Sequence, residues 1–315
     1  MLSRIAESLY WVGRYVERAE DTARILDVQL HHILEEPELE EEAACRAILA
    51  VMGRKPPPGP VDAGDVARVL AFDVADPCSI VGSFNAAREN ARGAREVLSS
   101  EMWECLNTTY NALPARASAA AASGGLHDFF QYVKERATIV AGLADSTMTR
   151  DDGWRFLVLG RSLERIDMTT RLLSARFGHP SSSPAWITAL RSCSAHEAFL
   201  RTYRRAVEPG LAVEFLLLDR LFPRSVHFTL DAAESSLAEL DPSTGRVGMD
   251  NEARRILGRV RYDLEFANAS ELMADLPERL SSLQAACAQA AAAVAGRFFR
   301  QTAAVSWQLE GSAAR

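Results

Sequence analysis

The chain is predicted to be all-α, an internally duplicated helical bundle with two pseudo-equivalent halves in one body. Three observations predict it. Apolar residues recur at three- and four-residue steps almost everywhere. No run alternates with period two for long enough to make a strand. And one charged block occurs twice: Gly13-Arg14-Tyr15-Val16-Glu17-Arg18-Ala19-Glu20-Asp21-Thr22-Ala23-Arg24 returns as Gly160-Arg161-Ser162-Leu163-Glu164-Arg165-Ile166-Asp167-Met168-Thr169-Thr170-Arg171, about 147 residues on. A second block follows each copy. Phe72 to Ile80 returns as Leu218 to Val226, one residue out of step, and Phe84, Ala86 and Ala87 match Leu230, Ala232 and Ala233. Two ordered blocks at nearly one offset imply a duplication. The halves are expected at 1–146 and 147–310, followed by a tail, 311–315.

In chain order, Ile5, Leu9, Val12, Val16, Ala19, Ala23 and Leu26 form one face of a helix from Ser3, its N-cap, to about Leu34, ended by Pro37. A second helix is expected over about 38–52, a stiff loop at Gly53–Pro60, and a short helix over about 63–72. A long helix is expected over about 78–113, with Pro77 suited to its first turn. The Ala/Ser/Gly-rich stretch 114–125 reads as a mobile loop, and a helix over about 126–146 closes the first half. The second half is expected as helices near 151–177, 185–206, 211–221, 223–240, 251–267 and 270–299, with a loop at 178–184 and a turn at 241–245.

Composition excludes several classes. The 315 residues are 48% hydrophobic, enough for a sizeable core, with a net charge of -7. No basic block offers the footprint of a nucleic-acid binder. The acidic run Glu35–Glu42, broken by Pro37 and Leu39, reads as a solvated helix start. Lysine occurs only as Lys55 and Lys134, outside the repeated blocks, which leaves little for Schiff-base chemistry. Five widely spaced cysteines without a Cys-x-x-Cys predict free thiols in a reducing compartment. Met1-Leu2-Ser3-Arg4 enters the first helix directly, and Ala285–Gly296 is too short and too weakly apolar to span a bilayer. A soluble cytoplasmic protein is expected, with neither a membrane nor a nucleic acid as partner.

The charged stripe of the first helix carries Arg14, Glu17, Arg18, Asp21 and Arg24, with Tyr10 and Trp11 on the same side. Arg161, Glu164, Arg165 and Arg171 form the second stripe, beside Trp154. An exposed Glu–Arg pair along a helix contributes only about 0.2–0.5 kcal/mol, too little to explain two copies of one pattern. Two stronger constraints remain open. The stripes face inward as a buried network joining the halves, or they line a cleft that holds an anionic ligand or a partner's carboxylate. A further polar set occurs in the first half alone: Asn90, Arg92, Arg95, Glu96, Ser100, Glu101, Trp103, Glu104 and Asn107. Of these, Arg92, Arg95, Glu101 and Trp103 are candidates for a groove, with a solvated face as the alternative.

Asp73 and Asp219, with Ser79 and Ser225, read as turn and first-turn helix chemistry. His31, His32, His127, His179, His196 and His227 lack metal-ligand spacing, and no Gly-rich phosphate loop, nucleophile elbow or Cys/His pattern occurs. Neither a metal nor a cofactor is expected, and no catalytic residue is assigned.

The opening, Met1-Leu2-Ser3-Arg4-Ile5-Ala6-Glu7-Ser8-Leu9-Tyr10-Trp11-Val12-Gly13-Arg14-Tyr15-Val16-Glu17-Arg18-Ala19-Glu20, resembles the bacterial alpha-E family. So do Asn90 to Glu96, Ser100 to Trp103 and Leu159 to Arg165. The resemblance spans nearly the whole chain and implies an all-helical protein with Glu-Arg motifs. It also implies a partner, because members are encoded beside or fused to a circularly permuted ATP-grasp protein, often near a transglutaminase-like protein. The expectation is an accessory protein of that ligase in a peptide- or amide-bond-forming system, binding the ligase or an anionic or peptide substrate. Two alternatives stand beside it. One is an enzyme of the same system with Glu17, Glu164 or Glu101 as acid or base. The other is a purely structural interaction module.

Overall fold

The computed structural model describes residues 1–35, 40–177 and 183–299, and among them every regular element is helical. The tail 311–315 and most of the 178–184 loop lie outside the described residues, as do 36–39 of the acidic run.

Helix α1 (Ser3–Glu35) is buried on nearly every side, polar stripe included, because it is the central strut of the fold. Helix α2 (Glu41–Val51) leads to α3 (Ala63–Ala67), which the Asp62/Asp65 capping box starts and a π turn (Arg68–Phe72) extends. Helix α4 (Ile80–Gly93) begins at its N-cap Ser79, whose Oγ accepts from Gly82 N–H at 2.9 Å and donates to the Asp73 carbonyl. Pro77 therefore lies in the turn ahead of the cap and not in the first helical turn.

The expected long helix over 78–113 is two helices. The chain breaks after Gly93 and makes a 3₁₀ turn (Arg95–Val97), then restarts as α5 (Ser100–Ser123). The restart is local chemistry: Ser99 Oγ caps Met102 N–H at 3.1 Å. The expected loop over 114–125 is also corrected, because α5 runs straight through Pro114 to Ser123. Pro114 faces solvent, and the alanines that follow are the strongest helix formers. Gly124, at φ 72°, ends the helix in the left-handed conformation. Helix α6 (Leu126–Thr147) matches the helix expected over about 126–146.

Helix α7 (Asp152–Phe177) follows. The stretch expected as one helix over 185–206 is α8 (Ser183–Ser192) and α9 (His196–Tyr203), split at Ser194, where φ is +50°. Helix α10 (Pro209–Leu218) follows. Helix α11 (Val226–Leu240) starts at Ser225, which repeats the Ser79 device: Oγ accepts from Phe228 N–H at 3.1 Å and donates to the Asp219 carbonyl. Helix α12 (Glu252–Glu265) comes next. The last expected helix is divided at Asp275 into α13 (Ala269–Ala274) and α14 (Leu276–Val294), the latter ending in a π turn (Ala295–Phe299).

Helix α1 packs on α4, α6 and above all α7; α7 in turn packs on α11 and α14. The α1–α7 crossing is unusually close. A Cβ on Gly13 would lie 2.1 Å from the Leu157 carbonyl oxygen, and one on Gly160 would lie 2.0 Å from that of Tyr10. The two glycines of the repeated block thus let the two backbones touch. One hydrophobic core surrounds this crossing, from Leu9 and Tyr10 to Leu283 and Phe299. Among the described residues, no helix is long and apolar enough to cross a membrane.

Candidate functional site

Beyond the Gly13–Gly160 contact, the two Glu-Arg dipeptides meet and exchange partners. Arg18 grips Glu164 with two prongs, Nε to Oε1 at 2.6 Å and Nη2 to Oε2 at 2.9 Å. Arg165 grips Glu17 the same way, at 2.5 and 2.7 Å. The remaining Nη1 of each arginine donates to a carbonyl of the second repeated block, Pro77 O for Arg18 and Pro223 O for Arg165. Each glutamate is only 2% exposed. Of the two readings left open by the sequence, the inward-facing network is the one the structure has.

The network is not symmetric around this core. Arg14 adds a bond to Glu164 (2.7 Å), whereas Arg161, its match, has its closest carboxylate oxygen on Asp145, at 3.9 Å. On that side Arg224 reaches in instead. Its Nη1 donates to Asp21 at 2.6 Å and Glu17 at 3.1 Å, and its Nη2 to Glu20 at 2.6 Å. Glu20 is also held by Arg24, which donates onward to Ser194. Arg171 pairs along its own helix with Asp167 at 2.8 Å. The candidates drawn from the sequence lacked Arg224 and Glu20; Asp21 stood on the first stripe but was not singled out. A signal for Arg224 was present: Pro223-Arg224-Ser225 stands where the first copy has Pro77-Cys78-Ser79.

Charges are fixed strongly here. Burial alone would push the Glu17 carboxyl up, but Arg165 and Arg224 outweigh it and hold it at about 2. Glu164 is likewise held below the ordinary range, burial being overcome by Arg18 and Arg14. Asp21 goes the other way. Burial and the neighbouring Glu17 charge raise it to about 7 against Arg224 and Arg165. The space beside these groups is small: about 20 Å³ next to Glu17, Glu20 and Arg161, and about 10 Å³ next to Asp21, Cys193 and Arg224. That is room for roughly one water each. Burial raises the Cys193 thiol to about 12.

Asp21 and Glu17 set opposite pH dependences. Folded Asp21 keeps its proton up to about pH 7, whereas its ordinary value is 3.8, so its contribution is complete below 3.8 and is lost as pH rises toward 7. Glu17 contributes fully above 4.5 and loses its contribution as pH falls toward 2. The Asp21→Asn variant is therefore expected to gain melting temperature relative to wild type between pH 5 and pH 8. Parallel melting curves across that range would show that Asp21 titrates normally.

The other candidates lie elsewhere. Arg92, at the end of α4, is exposed and pairs with Glu89 at 2.8 Å. Arg95 is on the 3₁₀ turn, so the two arginines do not share a helix face. The break instead lays the Arg95 guanidinium 5.3 Å from the ring of Trp103, and Arg88 covers the same ring at 5.4 Å and Tyr110 at 5.0 Å. Glu101 is exposed in the first turn of α5, and Trp103 is half-buried against the core. Arg88 was missed; its bond to Asn107 links α4 and α5. Among the described residues, no group of three His, Cys, Asp or Glu could hold a metal ion.

No solved structure matches the chain. Uncharacterized proteins of Mycobacterium bovis and of Mycobacterium tuberculosis are 27% identical to it over 311 residues. The match covers 90% of this chain and 35% of theirs, so the chain spans about a third of the length of these curated relatives. Residues 1–299 match the Alpha-E family, described as "a predicted alpha-helical domain with a conserved ER motif". With that match over nearly its whole length, the chain belongs to the Alpha-E family.

Proposed function

We propose that this chain is a cytoplasmic accessory protein of a circularly permuted ATP-grasp ligase in a peptide- or amide-bond-forming system, and that it binds and does not catalyse. One observation carries the choice. The carboxylates of both repeated Glu-Arg pairs are closed inside a network where each already accepts from two or more arginines. A general acid or base must reach a substrate proton, directly or through one water. Among the described residues, the space beside Glu17 holds roughly one water, too little for a substrate, and Glu164 is only 2% exposed. Asp21, near 7, is the group that favours an enzyme, but the space it lines holds a single water at most.

We also take the two halves to be copies of one unit. In support, α1 packs on α4 and α6 as α7 packs on α11 and α14, and α4–α5–α6 stack as α11–α12–α14 do. A duplicated scaffold leaves features found in one half free for binding. The Arg92, Arg95, Glu101 and Trp103 surface is such a feature, and it suits a carboxylate- or phosphate-bearing ligand or an acidic stretch of the ligase.

Co-purification of the full chain with the neighbouring ATP-grasp protein tests the reading, and a stable complex is expected. Arg92→Ala/Arg95→Ala is expected to weaken that complex while leaving the melting temperature within about 1–2 °C of wild type, because both residues are exposed. An unchanged complex would leave this surface as a solvated helix end. A ligase that neither binds the chain nor needs it for product formation would remove the partner assignment altogether.

A further inference from the structure

The outer face of α12 carries four residues in one row: Arg255, Arg259, Tyr262 and Phe266, at steps of four, three and four. Its inner face is fully engaged. Ala253, Leu257 and Leu264 are buried, Arg261 pairs with Glu234 and Asp231, and Arg254 faces Glu234. Among the described residues, the outer face is engaged only at Tyr262, whose ring has the Arg261 guanidinium 4.5 Å from its centroid. Arg255 and Arg259 are exposed and have no ion-pair or hydrogen-bond partner among the described residues. Tyr262 is 52% and Phe266 81% exposed, and their rings stack at 6.3 Å with an interplanar angle of 11°. A surface groove of about 410 Å³ runs along Arg254, Arg255, Gly258, Arg259 and Tyr262, with the carboxylates of Glu234 and Asp263 also in its lining.

Gly258 adds a second line of reasoning. A glycine inside a helix weakens it relative to alanine. Nothing within the fold requires one here: a Cβ would meet the Glu234 carboxyl at 3.9 Å, an ordinary contact. Its absence keeps the groove open beside two free cations and two stacked rings.

We propose that this face docks an acidic segment of a partner protein, with glutamates or aspartates against Arg255 and Arg259 and a large apolar side chain on the Tyr262–Phe266 stack. Charge decides the occupant. Of the groove's two carboxylates, Glu234 is already paired with Arg254 and Arg261, so the uncommitted Arg255 and Arg259 outnumber Asp263 and leave a net positive spot that an acidic segment can pair with in two-pronged geometry. The paired rings supply the apolar anchor that such interfaces use. The surface differs from the Arg95–Trp103 surface, and its test does not depend on the ATP-grasp assignment.

The probe is a synthetic fluorescein-labelled peptide with glutamates on one face and leucines at helical spacing on the other, titrated against the full chain. Its controls replace glutamate with glutamine or leucine with alanine. Arg255→Glu/Arg259→Glu is expected to weaken binding by about tenfold or more with an unchanged melting temperature. Gly258→Leu, which fills the groove and keeps both arginines, is expected to weaken it as well. A peptide that fails to bind, or binds the charge-reversed variant equally, overturns the proposal. So does a glutamine control that binds as well. Preferential binding of a single-stranded DNA oligonucleotide or phosphatidylglycerol vesicles through Arg255 and Arg259, or self-association through Phe266, would also overturn it by assigning the face to another occupant.

Discussion

Glu17→Ala is expected to lower stability by about 3–5 kcal/mol, because it strands the buried charges of Arg165 and Arg224. Glu164→Ala should cost a similar amount by stranding Arg14 and Arg18. Denaturant unfolding of both variants measures the loss, and the midpoint should fall without a change in slope. The magnitude comes from the unpaired partner and not from the intrinsic strength of the ion pair. Removing Arg165 as well as Glu17 should therefore cost less than the sum of the two single changes. If Glu17→Ala and Glu164→Ala both unfold like wild type, the network contributes nothing to folding, and its twofold occurrence needs a ligand to explain it.

Gly160→Ala is the second large effect. The added Cβ would stand 2.0 Å from the Tyr10 carbonyl oxygen and 2.9 Å from its carbonyl carbon, atoms that cannot swing away as a side chain would. Gly13→Ala meets the same obstacle at Leu157 O and Arg161 N. Overpacking usually costs about 1–3 kcal/mol, and a clash with backbone belongs at the top of that range or above it. Because the crossing also sets the reach of the Glu-Arg pairs, both glycine variants should loosen the ion network. Slower-migrating or partly unfolded species and a lower melting temperature are expected. Gly142→Ala is the control with the opposite sign. It sits exposed in α6 with nothing within 4 Å of a new Cβ, so alanine should stabilise by about 0.4–1 kcal/mol. If Gly160→Ala behaves like Gly142→Ala, the close α1–α7 approach is wrong.

Helical class was legible from periodicity, and so were the extents of α1, α6 and α7. Each is a long amphipathic run with local start and stop signals. Ser79 and Ser225 were readable as turn and cap chemistry because a cap is made within about six residues. The Arg–Glu stripes were readable as a place under constraint because they occur twice.

Other features escaped for physical reasons. Ser99, a cap as good as Ser79, lies inside a stretch whose periodicity continues on both sides, so the break at 94–99 left no apolar gap to see. Pro114 marks a helix end in isolation, yet its exposed side and the alanines after it let α5 continue. Ser194 takes φ +50° in a stretch with neither glycine nor proline to announce it.

By itself, the sequence determined the all-helical class, the repeated blocks and the two Glu-Arg stripes as a place under constraint, because these depend on short-range patterns along one chain. Only the tertiary structure decided who pairs with whom. Glu17 has Arg14, Arg18 and Arg24 near it in sequence, but it takes Arg165 from α7 and Arg224 from the turn ahead of α11. That choice rests on two backbones meeting at Gly13 and Gly160, a contact between residues about 147 apart that no local propensity encodes.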